Sequence, residues 1–128
     1  MRLLHTAAKT AATFGDPNLV SHAGLVLAVR LASNVGLEDL VTEHLQVAAQ
    51  GRHEPGGEGG SLVVGMIAGA DCIDGMDLLR HGAIPATCAG IAGIRAPSTL
   101  RSFLRALTQG NVRQLAAVHQ GVLARLAE

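Results

Sequence analysis

The scarcity of aromatic side chains is the feature that most constrains the fold of this chain. Its 128 residues include only two aromatics, Phe14 and Phe103, although 48% of the residues are hydrophobic. The core must therefore be built mainly from Leu, Val, Ile and Ala. Ala and Leu favour helices, whereas strands favour aromatic and β-branched side chains. The composition thus predicts an all-α protein, and the apolar patterns along the chain divide it into five or six short helices.

The first third of the chain is predicted to hold a leader and a helical hairpin. Residues 1–17 show no sustained apolar run and end in an Asp-Pro turn signal. Residues 18–45 carry apolar side chains at helical spacing in two stretches, and Gly36 between them is a natural helix stop. The hydroxyl of Ser21 can cap the first of the two helices.

The middle of the chain is predicted to be a linker. Residues 46–60, "QVAAQGRHEPGGEGG", contain five glycines and one proline, a composition that breaks helices. A Gly-rich loop before a helix can bind phosphate, but this stretch lacks the GxGxxG and GxxxxGK patterns and Glu58 would repel an anion. A plain linker is therefore the preferred interpretation, with a new helix starting at the capping residue Ser61.

Three aspartates, Asp71, Asp74 and Asp77, recur every third residue in the next predicted helix. Carboxylates on one side of a helix raise the hypothesis of a metal site. However, adjacent turns of one helix rarely wrap a single ion, and calcium loops need a non-helical ligand pattern. The preferred interpretation is a solvated face on which Asp77 lies near Arg80.

Arginines are unevenly distributed, although the chain has a formal net charge of zero. From Arg80 to Arg125 the chain has six arginines and no acidic residue. A one-sided basic stretch attracts polyanions, and its ordinary alternative is a solvated surface. Residues 61–128 are accordingly predicted to form a helical region that can bind DNA.

Residues 98–109 are the predicted centre of this DNA contact. Apolar side chains at positions i, i+3, i+4 and i+7 predict an amphipathic helix with Ser98 as its N-cap, and Gly110 is predicted to end it. Arginines on its outer face can contact phosphates or guanine edges, while hydroxyls and amides at its start can contact the backbone. The predicted DNA-binding residues are Arg95, Ser98, Thr99, Arg101, Arg105 and Arg113. The predicted core consists of Leu25, Val29, Leu40, Val63, Ile67, Leu79, Leu100, Phe103, Leu104, Leu107, Leu115 and Val118.

The preceding predicted helix, 72–82, could brace residues 98–109 as in a helix-turn-helix motif. The loop between them is about 15 residues long, whereas the usual turn has three or four. DNA binding therefore stands beside an alternative, a non-enzymatic helical protein-interaction module. In that alternative the apolar helices at 22–35 and 111–126 carry the contact.

Three stretches resemble, in their order and spacing, the N-terminal part of bacterial insertion-sequence transposases of the DDE superfamily, of the type with a group 1 DDE domain. They read "DPNLVSHAGLVLAVRLASNVGLEDLV", "SLVVGMIAGADCIDGMDLLRHGA" and "RAPSTLRSFLRALTQGNVRQLAAV". The resemblance implies a DNA-binding and assembly region that recognises terminal inverted repeats. The implied partners are double-stranded DNA at transposon ends and a second copy or a full-length transposase, with no membrane partner.

In such transposases this region precedes an RNase H-like domain that cuts and joins strands with two divalent metal ions, expected to be Mg²⁺. The chain ends at Glu128, about where that domain would begin, and Glu128 is its only acidic residue after Asp77. The resemblance therefore implies a truncated transposase that lacks the acidic triad, holds no cofactor and is inactive alone. The sequence also has no GxSxG or HExxH pattern, so neither catalytic nor metal-binding residues are predicted. The expected location is the cytoplasm, at the nucleoid when DNA is bound.

Overall fold

The computed structural model describes residue 15 and residues 22–48, 53–81 and 93–127. These residues form helices and no strand, which confirms the all-α prediction. In that described part, no helix combines the length and apolar character needed to cross a bilayer. Ser21 and the predicted leader, apart from Gly15, lie outside the described residues. The helices are α1 (Leu25–Asn34), α2 (Leu37–His44), α3 (Pro55–Ile67), a 3₁₀ helix (Asp74–Arg80), α4 (Pro97–Ala106) and α5 (Gln109–Leu126).

The first two helices form the predicted hairpin, which turns at Gly36. This glycine has a φ of 63°, in the left-handed region that side chains other than glycine rarely adopt. A guanidinium nitrogen of Arg125, Nη1, donates to the carbonyl oxygen of Val35 at 2.7 Å. The C-terminal turn of α5 therefore holds the turn of the hairpin.

The third helix corrects the predicted linker, because residues 55–60 are helical. Pro55 occupies the first turn, where its fixed φ suits a helix and its missing N–H costs nothing. Gly56 packs directly on α2: a Cβ there would lie 2.5 Å from Thr42 Oγ1 and 2.6 Å from the Glu38 carbonyl oxygen. Burial against α2 therefore outweighs the helix penalty of about 1 kcal/mol for each glycine.

Ser61 lies inside α3 and is not its N-cap, which corrects the predicted helix start. Its buried hydroxyl donates to the carbonyl oxygen of Gly57 at 2.7 Å and accepts from the backbone N–H of Arg95 at 3.0 Å. The serine thereby ties α3 to the segment that leads into α4. The N-cap position of α3 belongs to Glu54.

The fourth helix begins and ends earlier than predicted. Pro97 is its first residue, so the cap position falls on Ala96 and not on Ser98. Gly110 does not end a helix, because α5 already begins at Gln109. The oxygen Oδ1 of Asn111 accepts from the backbone N–H and the hydroxyl of Thr108, both at 2.8 Å. This capping box starts α5 two residues before the predicted position.

Two apolar clusters form the core. The first lies among α1, α3, the 3₁₀ helix and α4, and the second lies among α2, α4 and α5. The predictions of Leu25, Val29, Leu40, Leu79, Leu100, Phe103 and Val118 as core residues are confirmed. Ile67, Leu104 and Leu115 were wrongly predicted, since they are 53%, 38% and 39% exposed. Val63 and Leu107 are half-buried. Ile67 is exposed because the face of α3 that packs on the protein is formed mainly by its small residues.

Candidate nucleic-acid interface

A groove of about 600 Å³ lies between the outer face of α4 and the segments that flank residues 49–52. Four of its polar side chains sit one turn apart on α4, so they share one helix face. Hydroxyls and guanidinium groups are the side chains that donate to phosphate oxygens. The groove is lined by Ala48, His53, Ser98, Arg101, Ser102, Arg105 and Ala106.

Arg101 and Arg105 are the exposed cations of this groove. Arg101 Nη2 donates to Asp74 Oδ1 of the 3₁₀ helix at 2.5 Å, and both side chains are substantially exposed to water. An exposed pair of this kind typically contributes no more than about 1 kcal/mol, so a phosphate group can replace the aspartate. Arg105 forms no ion pair with the described acidic residues. Both guanidinium groups are thus accessible to an anion.

Arg95 and Thr99 lie in a different place from the groove. Arg95 Nη2 forms an ion pair with the carboxylate of Glu54, and its guanidinium covers the helix backbone at Gly57. The two predicted site residues line a smaller pocket of about 220 Å³ together with Glu54 and Glu58. Two carboxylates in this pocket make it unfavourable for phosphate. The structure therefore gives Arg95 the role of joining α3 to the segment before α4.

The six predicted DNA-binding residues thus occupy three places. Ser98, Arg101 and Arg105 line one groove, whereas Arg95 and Thr99 line the acidic pocket. Arg113 is exposed on α5 and is not part of the groove lining. Of the six, only Ser98, Arg101 and Arg105 share one groove.

Two polar residues of the groove were missed by sequence reasoning, His53 and Ser102. His53 Nδ1 lies 3.0 Å from Oε1 of the buried Glu58, and its ring contacts the ring of Phe103 at a centroid distance of 5.9 Å. The assumed linker hid this pair. The available signal was the recurrence of small residues every fourth position, which marks one face of a close-packed helix. The recurring positions are Gly56 and Gly60, and in parallel Gly57, Ser61 and Gly65.

The three aspartates that raised a metal hypothesis are all exposed. Asp77 Oδ1 pairs with Arg80 Nη1 at 3.0 Å, as predicted for a solvated face, and Asp74 pairs with Arg101. In the part of the chain that the structure describes, no three His, Cys, Asp or Glu side chains are grouped to hold a metal ion. The arrangement of the aspartates is therefore that of a charged surface around the 3₁₀ helix.

A second, apolar groove of about 350 Å³ lies among α1, α3 and α5. Leu31, Ile67, Leu115 and Leu126 line it, and each of them is exposed to water. Exposed apolar patches often mark contacts between proteins. This groove shares no residue with the basic groove, so the two surfaces can act independently.

Comparisons of the chain with protein-family models, with curated proteins and with solved structures find no match. No family is therefore assigned to the chain. Its function is inferred from the chemistry of the two grooves and from the resemblance of the three sequence stretches.

Proposed function

We propose that the chain binds DNA through the outer face of α4, as the DNA-binding and assembly region of a DDE-type transposase. The basic groove supports this proposal, because Ser98, Arg101 and Arg105 converge there with Ser102. All four side chains carry hydrogen-bond donors, and ionised guanidinium groups bind phosphate oxygens more strongly than neutral donors do. Contacts of this kind position a protein on the DNA backbone.

The charges around the groove favour replacement of Asp74 by a DNA phosphate as the partner of Arg101. Asp74 holds Arg101 in an exposed ion pair, while Arg105 has no acidic partner among the described residues. A DNA strand offers one phosphate after another, and each contact releases counterions from the DNA. The transposase resemblance adds that the proposed ligand is the double-stranded end of a mobile element, which the chain would meet at the nucleoid.

Replacing Arg101 and Arg105 together by Ala is expected to weaken duplex binding about tenfold or more at moderate salt. The salt dependence should also flatten by about two units of slope, because two phosphate contacts are lost. Fluorescence anisotropy with a labelled duplex at four salt concentrations measures both effects. A terminal repeat of a mobile element and a scrambled duplex of equal length test sequence preference.

Two further variants control this experiment. Replacing Arg30 and Arg80 by Ala removes the same charge from exposed positions outside the groove, and should leave the salt slope nearly unchanged. Replacing Asp74 by Asn frees Arg101 and should strengthen binding, whereas loss of a purely structural ion pair would not. Equal affinity of the Arg101/Arg105 variant and the parent chain would remove α4 as the DNA site.

A helical protein-interaction module is the second candidate, and the apolar groove favours it. The partner that we consider is a second copy of the chain, because Leu27 and Leu123 are exposed outside the groove and could fill the groove of another copy. The expected result is a dimer whose population grows with concentration in light scattering. Replacing Leu115 by Glu in the groove lining should abolish the dimer without loss of helix content. A strict monomer up to high concentration would contradict this candidate.

A further inference from the structure

His53 stands in the wall of the basic groove, on the segment just before α3. Its side chain is only 8% exposed, so the surrounding protein holds it in place. Glu58 Oε1 lies 3.0 Å from Nδ1, and the ring of Phe103 packs against the imidazole. The imidazole of this groove-lining residue is therefore held in a fixed orientation by two residues that are themselves buried.

The hydrogen bond between Nδ1 of His53 and Glu58 determines whether Nε2 carries a hydrogen that it can donate. When the Glu58 carboxylate is ionised it only accepts hydrogen bonds, and Nδ1 then carries the hydrogen of their contact. In the neutral ring Nε2 then has a lone pair, which repels phosphate oxygens. In the protonated ring Nε2 also carries a hydrogen that it can donate, and an ionised Glu58 carboxylate at 3.0 Å from Nδ1 compensates the charge of the imidazolium. Contact with phosphate therefore requires a proton on the ring.

The charged side chains near His53 make protonation of its ring depend on whether a phosphate is bound. Arg101 and Arg105 share the groove with His53 and oppose a third positive charge. A phosphodiester between the two guanidinium groups adds one negative charge, which reduces that repulsion. Glu58 also lines the smaller pocket, in which Glu54 and Arg95 form their own ion pair. Protonation of His53 should consequently accompany phosphate binding.

We infer that His53 is a phosphate-binding residue of the groove, whose Nε2–H donates to a phosphodiester oxygen, and that binding takes up one proton there. This inference rests on the proposed DNA binding by α4. It adds a contact from outside α4 and a dependence of affinity on pH. Glu58 has the role of a positioning residue, which acts on the ligand through the imidazole.

The test is the affinity of the full chain for a short DNA duplex without terminal phosphates, measured between about pH 6 and about pH 8, the range in which histidine ordinarily changes charge. Phosphodiesters keep one negative charge throughout this range. Since the bound form holds the extra proton, affinity should rise by about threefold to tenfold toward the lower pH. Calorimetry in buffers of different ionisation enthalpy should show uptake of protons.

Three variants separate this contact from a structural effect. His53→Gln should remove most of the pH dependence, with helix content checked by circular dichroism. Glu58→Gln can donate its amide to Nδ1, which leaves a hydrogen on Nε2 of the neutral ring. That variant should keep affinity at the higher pH and lose the pH dependence. His22→Gln changes an exposed histidine that lines neither groove, and should retain the pH dependence of the parent chain.

The outcomes distinguish the two proposals. Binding that needs Arg101 and Arg105 but does not vary with pH would overturn the inference about His53 and leave DNA binding intact. A His53→Gln variant that keeps the full pH dependence would also overturn the inference. No binding of any duplex by the folded chain would remove the proposed function and this inference together.

Discussion

Replacing Gly56 by Ala is expected to lower the free energy of unfolding by about 1–3 kcal/mol. The new Cβ would lie 2.6 Å from the carbonyl oxygen of Glu38, which belongs to the backbone of α2 and cannot rotate away. The helices α2 and α3 must therefore move apart. In an unpacked helix the same change would stabilise by about 1 kcal/mol, so the sign of the effect reports the packing.

Gly110→Ala is the matched control for this variant. Gly110 is exposed in α5, and a Cβ there would meet only Thr108 Oγ1 at 3.5 Å, an ordinary contact. Its replacement should leave stability equal or increase it by up to about 1 kcal/mol. Urea unfolding followed by circular dichroism compares the two. Equal or higher stability of Gly56→Ala would show that α3 does not pack on α2 through its glycines.

Phe103→Ala is expected to have the largest effect on stability, a loss of about 3–5 kcal/mol. The side chain is 2% exposed and belongs to the cluster among α2, α4 and α5. Its removal leaves a cavity that the rigid helices around it fill only in part. The variant also deprives His53 of its ring contact, so it tests stability and not DNA affinity. Thermal and urea unfolding measure the loss.

Leu104→Ala is the control for Phe103→Ala, since both side chains belong to the apolar stripe predicted for α4. Leu104 is 38% exposed, so Leu104→Ala should cost about 1 kcal/mol or less. A large difference between the two variants would support the observed orientation of α4. Similar losses would instead place Leu104 in the core, as the spacing of the stripe predicted.

Amphipathic helices were the part of the fold that the sequence predicted best. In α1 and α2 the apolar side chains recur every three to four residues, and Gly36 marks the turn between them. The pattern of α4 identified Leu100 and Phe103 as core residues for the same reason. These helices pack by large side chains on one face, and such a face can be recognised without knowledge of its partner.

The third helix could not be recognised in that way. Five of the six residues at its start, Pro55 to Gly60, are proline or glycine, which have low intrinsic helix propensity, and the cost is offset by contacts with α2. Those contacts lie up to about 20 residues away and are invisible to local propensity. The missed helix also concealed the pairing of His53 with Glu58, since a linker offers no fixed geometry to either residue.

The candidate site was predicted in part. Arg101 and Arg105 could be assigned to an outer face because the stripe on α4 defined the inner one. Arg95 could not be placed, because its carboxylate partner Glu54 lies 41 positions away in the sequence. Spacing along one helix predicts which of its residues share a face. Contacts between segments far apart in the sequence depend on how the helices pack, which the spacing does not give.

The helix α5 forms hydrogen bonds with residues far from it in the sequence, and these bonds form late in folding. Asn111 Nδ2 donates to the carbonyl oxygen of Gln46 across 65 positions, and Arg125 reaches Val35 across 90. Contacts between such distant residues slow folding, because a long loop must close before they form. During synthesis α3 and α4 emerge first and cover Leu40, Val41 and Leu45 only in part, and the contact with Val118 of α5 is added last. Until then the apolar face of α2 is incompletely buried, so the nascent chain can bind chaperones or aggregate there.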